Sequence, residues 1–165
     1  MKNGKDLWTR RRVLSIFIAL AFPLGLAFCG PSAPVTVAPG AEHCEHCHMT
    51  IHDMRFHAQA VNQHGKIRHF DSIECALAYQ KENAGSVTAL YAANFLHQGT
   101  YLTLLGAGEP AVIIQSSKIK SPMSGGLAAV RGSDAEQILV KFGGALKTPK
   151  EIQDSGAASG TGRPL

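Results

Sequence analysis

His57-Ala58-Gln59-Ala60-Val61-Asn62-Gln63-His64-Gly65-Lys66-Ile67-Arg68-His69-Phe70-Asp71-Ser72-Ile73-Glu74-Cys75-Ala76-Leu77 changes period midway, and the change sets the fold class. Residues 57–62 and 66–70 read as two short strands joined at the Gly65 turn. Asp71 then reads as an N-cap, with Glu74 three residues on as its capping-box partner. Ile73, Ala76, Leu77 and Gln80 continue at helical spacing to about Asn83. Gly85 stops that helix, and residues 87–91 form a third strand. The order is strand, strand, helix, strand.

The order recurs downstream. Residues 101–105, 111–116 and 126–131 are strand-like. Ser133 and Glu136 have capping-box spacing. Ala135, Ile138, Leu139 and Phe142 then give a helix one apolar face, and Gly143-Gly144 ends it. The two cap residues, Asp71 and Ser133, stand 62 positions apart, which points to a duplicated unit. The expected fold class is therefore α+β: a small domain at residues 43–147, built from two ββαβ-like halves at about 43–92 and 100–147. From Thr148 onward Pro, Gly, Ser and Ala dominate, and residues 148–165 are expected to be a disordered tail.

Upstream, residues 1–29 read as an export signal and stay outside fold reasoning. Lys2, Lys5, Arg10, Arg11 and Arg12 precede an uncharged, mostly apolar run at residues 13–29. Thr9-Arg10-Arg11-Arg12-Val13-Leu14 is similar to a twin-arginine motif, although Sec signals also carry basic residues there. Leu26-Ala27-Phe28-Cys29-Gly30 resembles a bacterial lipobox, with Phe28 where a small residue is usual. The expectation is a periplasmic protein held to a membrane by lipid on Cys29 or by an uncleaved signal. Residues 30–42, with Pro31, Pro34 and Pro39, read as a tether.

Net charge is +4, but residues 30–165 hold 11 Lys and Arg against 11 Asp and Glu. The high pI belongs to the signal, and there is no basic footprint for nucleic acid. No catalytic triad, phosphate loop or dinucleotide fingerprint is visible, and the chain reads as a non-enzyme.

The chemistry concentrates at Cys44-Glu45-His46-Cys47-His48-Met49. Two thiols and a thioether within six residues suit a soft cation, Cu(I) first and Zn(II) second. His46, His48 and His52 stand close enough in sequence to join. So does Cys75, although a buried inert thiol is its ordinary reading. Met123, in Ser121-Pro122-Met123-Ser124-Gly125-Gly126, is an apolar residue in a turn-like segment, and it completes the candidate metal set Cys44, Cys47, Met49 and Met123. Met54 reads as a core gap-filler. His57 and His69 read as ordinary hydrogen-bonded strand residues. A structural disulfide between Cys44 and Cys47, and a zinc knuckle of Cys44, Cys47, Cys75 and a His, stay open. So does a C-x-x-C thiol–disulfide oxidoreductase, although no strand precedes the motif and no helix follows it as in such enzymes.

Three motifs in order resemble the NosL family: Cys44-x-x-Cys47-x-Met49-x-Ile51, then Phe70-Asp71-Ser72-Ile73-x-Cys75, then Ser121-Pro122-Met123-Ser124-Gly125-Gly126-Leu127-Ala128-Ala129-Val130. Ser72 and Ser124 stand where the family usually has Asp and Gly. The resemblance covers about residues 43–146. It implies an exported, often lipid-anchored copper-binding chaperone for nitrous oxide reductase assembly. The implied fold is a pair of ββαβ units related to part of organomercurial lyase.

Overall fold

The structure, a computed structural model, describes residues 33–155. The export signal, Cys29, residues 30–32 of the expected tether and residues 156–165 lie outside the described residues.

The first unit comprises β1 (Ala58–Asn62), β2 (Ile67–Phe70), α1 (Ile73–Glu82), β3 (Val87–Ala93) and β4 (Tyr101–Leu105). Its antiparallel sheet runs β2-β1-β3-β4. The β1–β2 turn forms because Asn62 Oδ1 accepts the backbone N–H groups of His64 and Lys66, at 3.0 and 2.9 Å. Gly65 supplies the positive φ of 75° that the reversal needs. Ala58, Phe70 and Ala92 share one row of the sheet, and Ala60 and Leu90 share the next. These residues pack with Ile73, Ala76 and Leu77 of α1 in one core. The Phe70 and Tyr79 rings meet at 5.1 Å, fixing the helix over the end of β2.

The second unit comprises β5 (Val112–Gln115), β6 (Leu127–Val130), a 3-10 turn at Gly132–Asp134, α2 (Ala135–Phe142) and β7 (Ala145–Lys147). Its sheet runs β6-β5-β7, again with the first strand central. Buried Ile138 anchors α2 among Phe56, Ile114, Ala128 and Val130. The two units thus share one topology, β2-β1-β3 and β6-β5-β7, with a helix before the last strand, and the expected α+β fold of two ββαβ units is what forms. They also share a core: Ile113, Leu127 and Ala129 join the cluster under α1.

Five local expectations are corrected. Ser72, not Asp71, caps α1: its Oγ accepts the Cys75 N–H at 3.2 Å. Ser133 and Glu136 form no capping box, because the 3-10 turn intervenes and α2 starts without a side-chain cap. Strand β4, expected to open the second half, extends the first sheet. The chain turns back between Asn94 and Thr100, where Asn94 Oδ1 accepts the Leu96 N–H at 3.0 Å and Asn94 N–H donates to Thr100 O at 2.8 Å. The stretch after Thr148 is not wholly disordered, since α3 (Pro149–Asp154) forms with a Thr148–Glu151 capping box and Pro149 in its first turn. Ile152 is buried in the α1 core, and Gln153 Nε2 donates to Leu77 O at 3.3 Å. Finally, the part of the tether that is described is docked. Val35 N–H donates to the buried Gln59 Oε1 at 3.0 Å, and Gly40 N–H to Ile51 O at 2.7 Å. Among the described residues, no helix is long and apolar enough to cross a membrane.

Candidate metal centre

The C-x-x-C segment is a closed loop. His43 and Thr50 bridge antiparallel, Cys44 N–H donates to Met49 O at 2.8 Å, and His48 N–H donates to Cys44 O at 2.9 Å. His48 takes a φ of 63° to complete the turn. Two contacts fasten the loop to β2: Glu45 N–H donates to His69 O at 2.9 Å, and Arg68 pairs with the Glu45 carboxylate at 2.9 Å. The loop therefore lies beside the β2–α1 junction, where Asp71 and Cys75 sit.

There the side chains converge. The Sγ atoms of Cys44, Cys47 and Cys75 and a carboxylate oxygen of Asp71 all lie within 4.8 Å of one another. Cys44 and Cys75 are buried, Cys47 is half-buried, and all three are free thiols. Cys44 and Cys47 are unbridged in this structure, and the fourth group beside the thiols is Asp71 rather than a histidine. Asp71 Oδ1 is buried without a hydrogen-bond partner, while Oδ2 accepts from the Cys47 thiol at 3.5 Å. An orphaned carboxylate oxygen among three thiols fits a cation-binding cluster better than a finished structural network.

The thiols are not equivalent. Cys44 is drawn down to about 6, first by the hydrogen bond from the Cys75 thiol and, against the opposing effect of burial, by the backbone N–H groups of Cys47 and Asp71. Cys47 is pushed up to about 12, chiefly by burial. Cys75 is raised, first because its proton is held in the bond to Cys44. The hydrogen bonding thus favours the thiolate at Cys44 over its two neighbours, and a cation that recruits the other sulfurs displaces their protons. The C-x-x-C loop lacks a helix N-terminus, but neighbouring donors stabilise the thiolate instead.

Other expected site residues lie around this cluster. Met49 is exposed on the same loop, and its carbonyl braces Cys44. The His46 ring lies 4.0 Å from the Glu82 carboxylate. His48 and His52 are exposed, and the His52 ring lies against Gly40. Met123 is partly buried and packs, like Met54, on the core that contains Cys44 and Cys75. Among the His, Cys, Asp and Glu of the described residues, only Cys44, Cys47, Asp71 and Cys75 converge as a potential metal-holding group. Capping-box spacing assigns Asp71 to the helix cap, which hides it as a donor. The available signal was Ser72, an equally good cap one residue later, which frees Asp71 for another task. His57 and His69 are hydrogen-bonded strand residues: His57 meets Tyr101 Oη at 2.7 Å and His69 Nδ1 at 3.2 Å, and burial lowers it to about 4.

A family profile described as NosL matches residues 34–156. The crystal structure of the copper chaperone NosL from Shewanella denitrificans superposes with a TM-score of 0.60 at 17% identity, covering 74% of this chain and 97% of that one. No curated protein sequence matches the chain.

Proposed function

This chain belongs to the NosL family, and we propose that it binds Cu(I) and hands it to a copper enzyme or its maturation machinery, without catalysing a reaction. The observation that carries the reading is the convergence of three thiols and one carboxylate within 4.8 Å. Cu(I) is satisfied by two or three soft ligands, and Cys44 and Cys75 supply a buried pair. Cys47, half-buried at the solvent side, is the sulfur an acceptor reaches first. Transfer then proceeds by ligand exchange, an acceptor thiolate or thioether replacing Cys47 while Cys44 still holds the metal. Met123 supplies a thioether from the second unit, and exposed Met49 captures copper at the mouth of the loop.

The setting belongs to the same proposal. The protein acts in the periplasm, tethered through an acylated Cys29 or an uncleaved signal, and its recipient is the nitrous oxide reductase assembly system. Support comes from the signal-like sequence and the family.

The three-sulfur, one-oxygen donor set also favours a second reading, a tetrahedral zinc module that docks a partner. A competition titration of the reduced protein, run anaerobically against a Cu(I) chelator and separately against Zn(II), decides between them. One tightly bound Cu(I) that Zn(II) does not displace is expected. Equal or tighter zinc binding overturns the copper reading.

A further inference from the structure

We infer that Glu74 is a positioning residue whose buried carboxylate latches the Met123 turn against the start of α1, beside the thiol cluster. The inference rests on the copper reading and deepens it.

Glu74 is 2% exposed, and its Oε2 is buried without a hydrogen-bond partner. Such a carboxylate is expensive to bury, and α1 does not need it as a cap because Ser72 fills that place. Its carboxylate meets its own backbone N–H and the Ser72 side chain, and it also reaches the second unit. Ser121 Oγ donates to Glu74 Oε1 at 3.2 Å across 47 residues. The same Oγ accepts the Gly126 N–H at 2.9 Å, closing the turn behind Met123. Gln115 Nε2 steadies the turn from β5 by donating to Gly125 O at 3.2 Å. Gly125 presses so closely on Glu74 that a Cβ there would collide with Oε1. Ser124 and Gly126, with φ of 59° and 68°, give the turn its left-handed shape. Met123 is therefore held between two fixed points, and Glu74 is the chain neighbour of Cys75. The turn that carries the Met123 thioether is thereby tied to the start of α1, one residue from Cys75, in addition to the core that the two units share.

The test is a double-mutant cycle on the full chain, reading Cu(I) affinity against a chelator under anaerobic, reducing conditions. Ser121→Ala removes the hydrogen bonds to Glu74 and from Gly126 and is expected to weaken Cu(I) binding at least about fivefold, the worth of one of them. In a Met123→Leu background the same change is expected to have no further effect, because the latch acts only through the thioether. Glu74→Gln, which keeps an oxygen acceptor, is expected to recover most of the affinity lost in Glu74→Ala. Gly125→Ala leaves every hydrogen-bonding group in place and pushes the turn off the carboxylate, and it serves if Ser121→Ala fails to fold. An unchanged affinity in Ser121→Ala or Gly125→Ala, or an effect that persists undiminished in Met123→Leu, overturns the latch. A Met123→Leu protein that binds Cu(I) normally overturns it too, while leaving the thiol site standing. Absence of Cu(I) binding in the parent protein marks failure of the copper reading itself.

Discussion

The Cys47 thiol donates a hydrogen bond to the Asp71 carboxylate at 3.5 Å across 24 residues of chain. That contact joins the C-x-x-C loop to the β2–α1 junction and turns two sequence motifs into one cluster. It also gives the solvent-side sulfur a proton acceptor at the point where a metal would displace its proton.

Asp71 should separate the two candidate metals. A carboxylate oxygen is a hard donor that Zn(II) uses and Cu(I) does not need. Asp71→Ala is expected to weaken Zn(II) binding about 10–100-fold, and to change Cu(I) affinity by much less. Parallel titrations of the two metals measure this. An equal loss for both would make Asp71 a structural support of the loop rather than a donor.

Disulfide exchange should not turn over. Cys44 carries the lowered thiol but is fully buried, and the more accessible Cys47 is pushed up to about 12, so no reactive thiolate faces a substrate disulfide. Insulin reduction with dithiothreitol as reductant is expected to proceed at the rate of the reductant alone. Acceleration by the protein that Cys44→Ser abolishes would promote the oxidoreductase reading.

Much of this was legible in the sequence, for reasons that differ by level. The strand–strand–helix order was readable because Gly65, Gly85 and Gly143 punctuate it and the apolar period changes between them. The assignment of β4 was not, because Tyr101–Leu105 has the same pattern whichever sheet it joins, and only the Asn94 turn decides. Helix α3 hid in a Gly- and Ser-rich tail, although Thr148-Pro149-x-Glu151 is a complete helix-start signature. At the site, proximity in sequence identified Cys44 and Cys47. It undervalued Cys75 and Asp71, which lie far along the chain and meet the loop where Glu45 and Arg68 dock it on β2.

Stability should fall in mild acid through His57. Burial holds its imidazole at about 4 in the folded chain, against about 6.5 when unfolded. Between those values the unfolded chain binds a proton that the folded one refuses, so stability is complete above about 6.5 and declines as pH drops toward 4. The loss from pH 7 to pH 5 is about 2 kcal/mol for this group. Urea unfolding of the metal-free protein at the two values measures it. His57→Gln is expected to shrink the difference, and an unchanged pH dependence in that variant would contradict the assignment.

Helix α3 should contribute to the fold. Ile152→Ala removes a side chain that is 2% exposed in the α1 core. The expected destabilisation is about 2 kcal/mol, the low end for such a truncation, because a six-residue terminal helix can detach alone. Urea midpoints measure this too, and a variant as stable as the parent would return the segment to a passive tail.

X-ray absorption at the copper edge of the anaerobically Cu(I)-loaded protein tests the central claim most directly. A first shell of two or three sulfur neighbours is predicted, losing one sulfur when Cys75→Ser is loaded in the same way. A shell dominated by nitrogen and unaffected by Cys75→Ser would contradict the thiol cluster as the copper site and assign the metal to the surface histidines around Cys47.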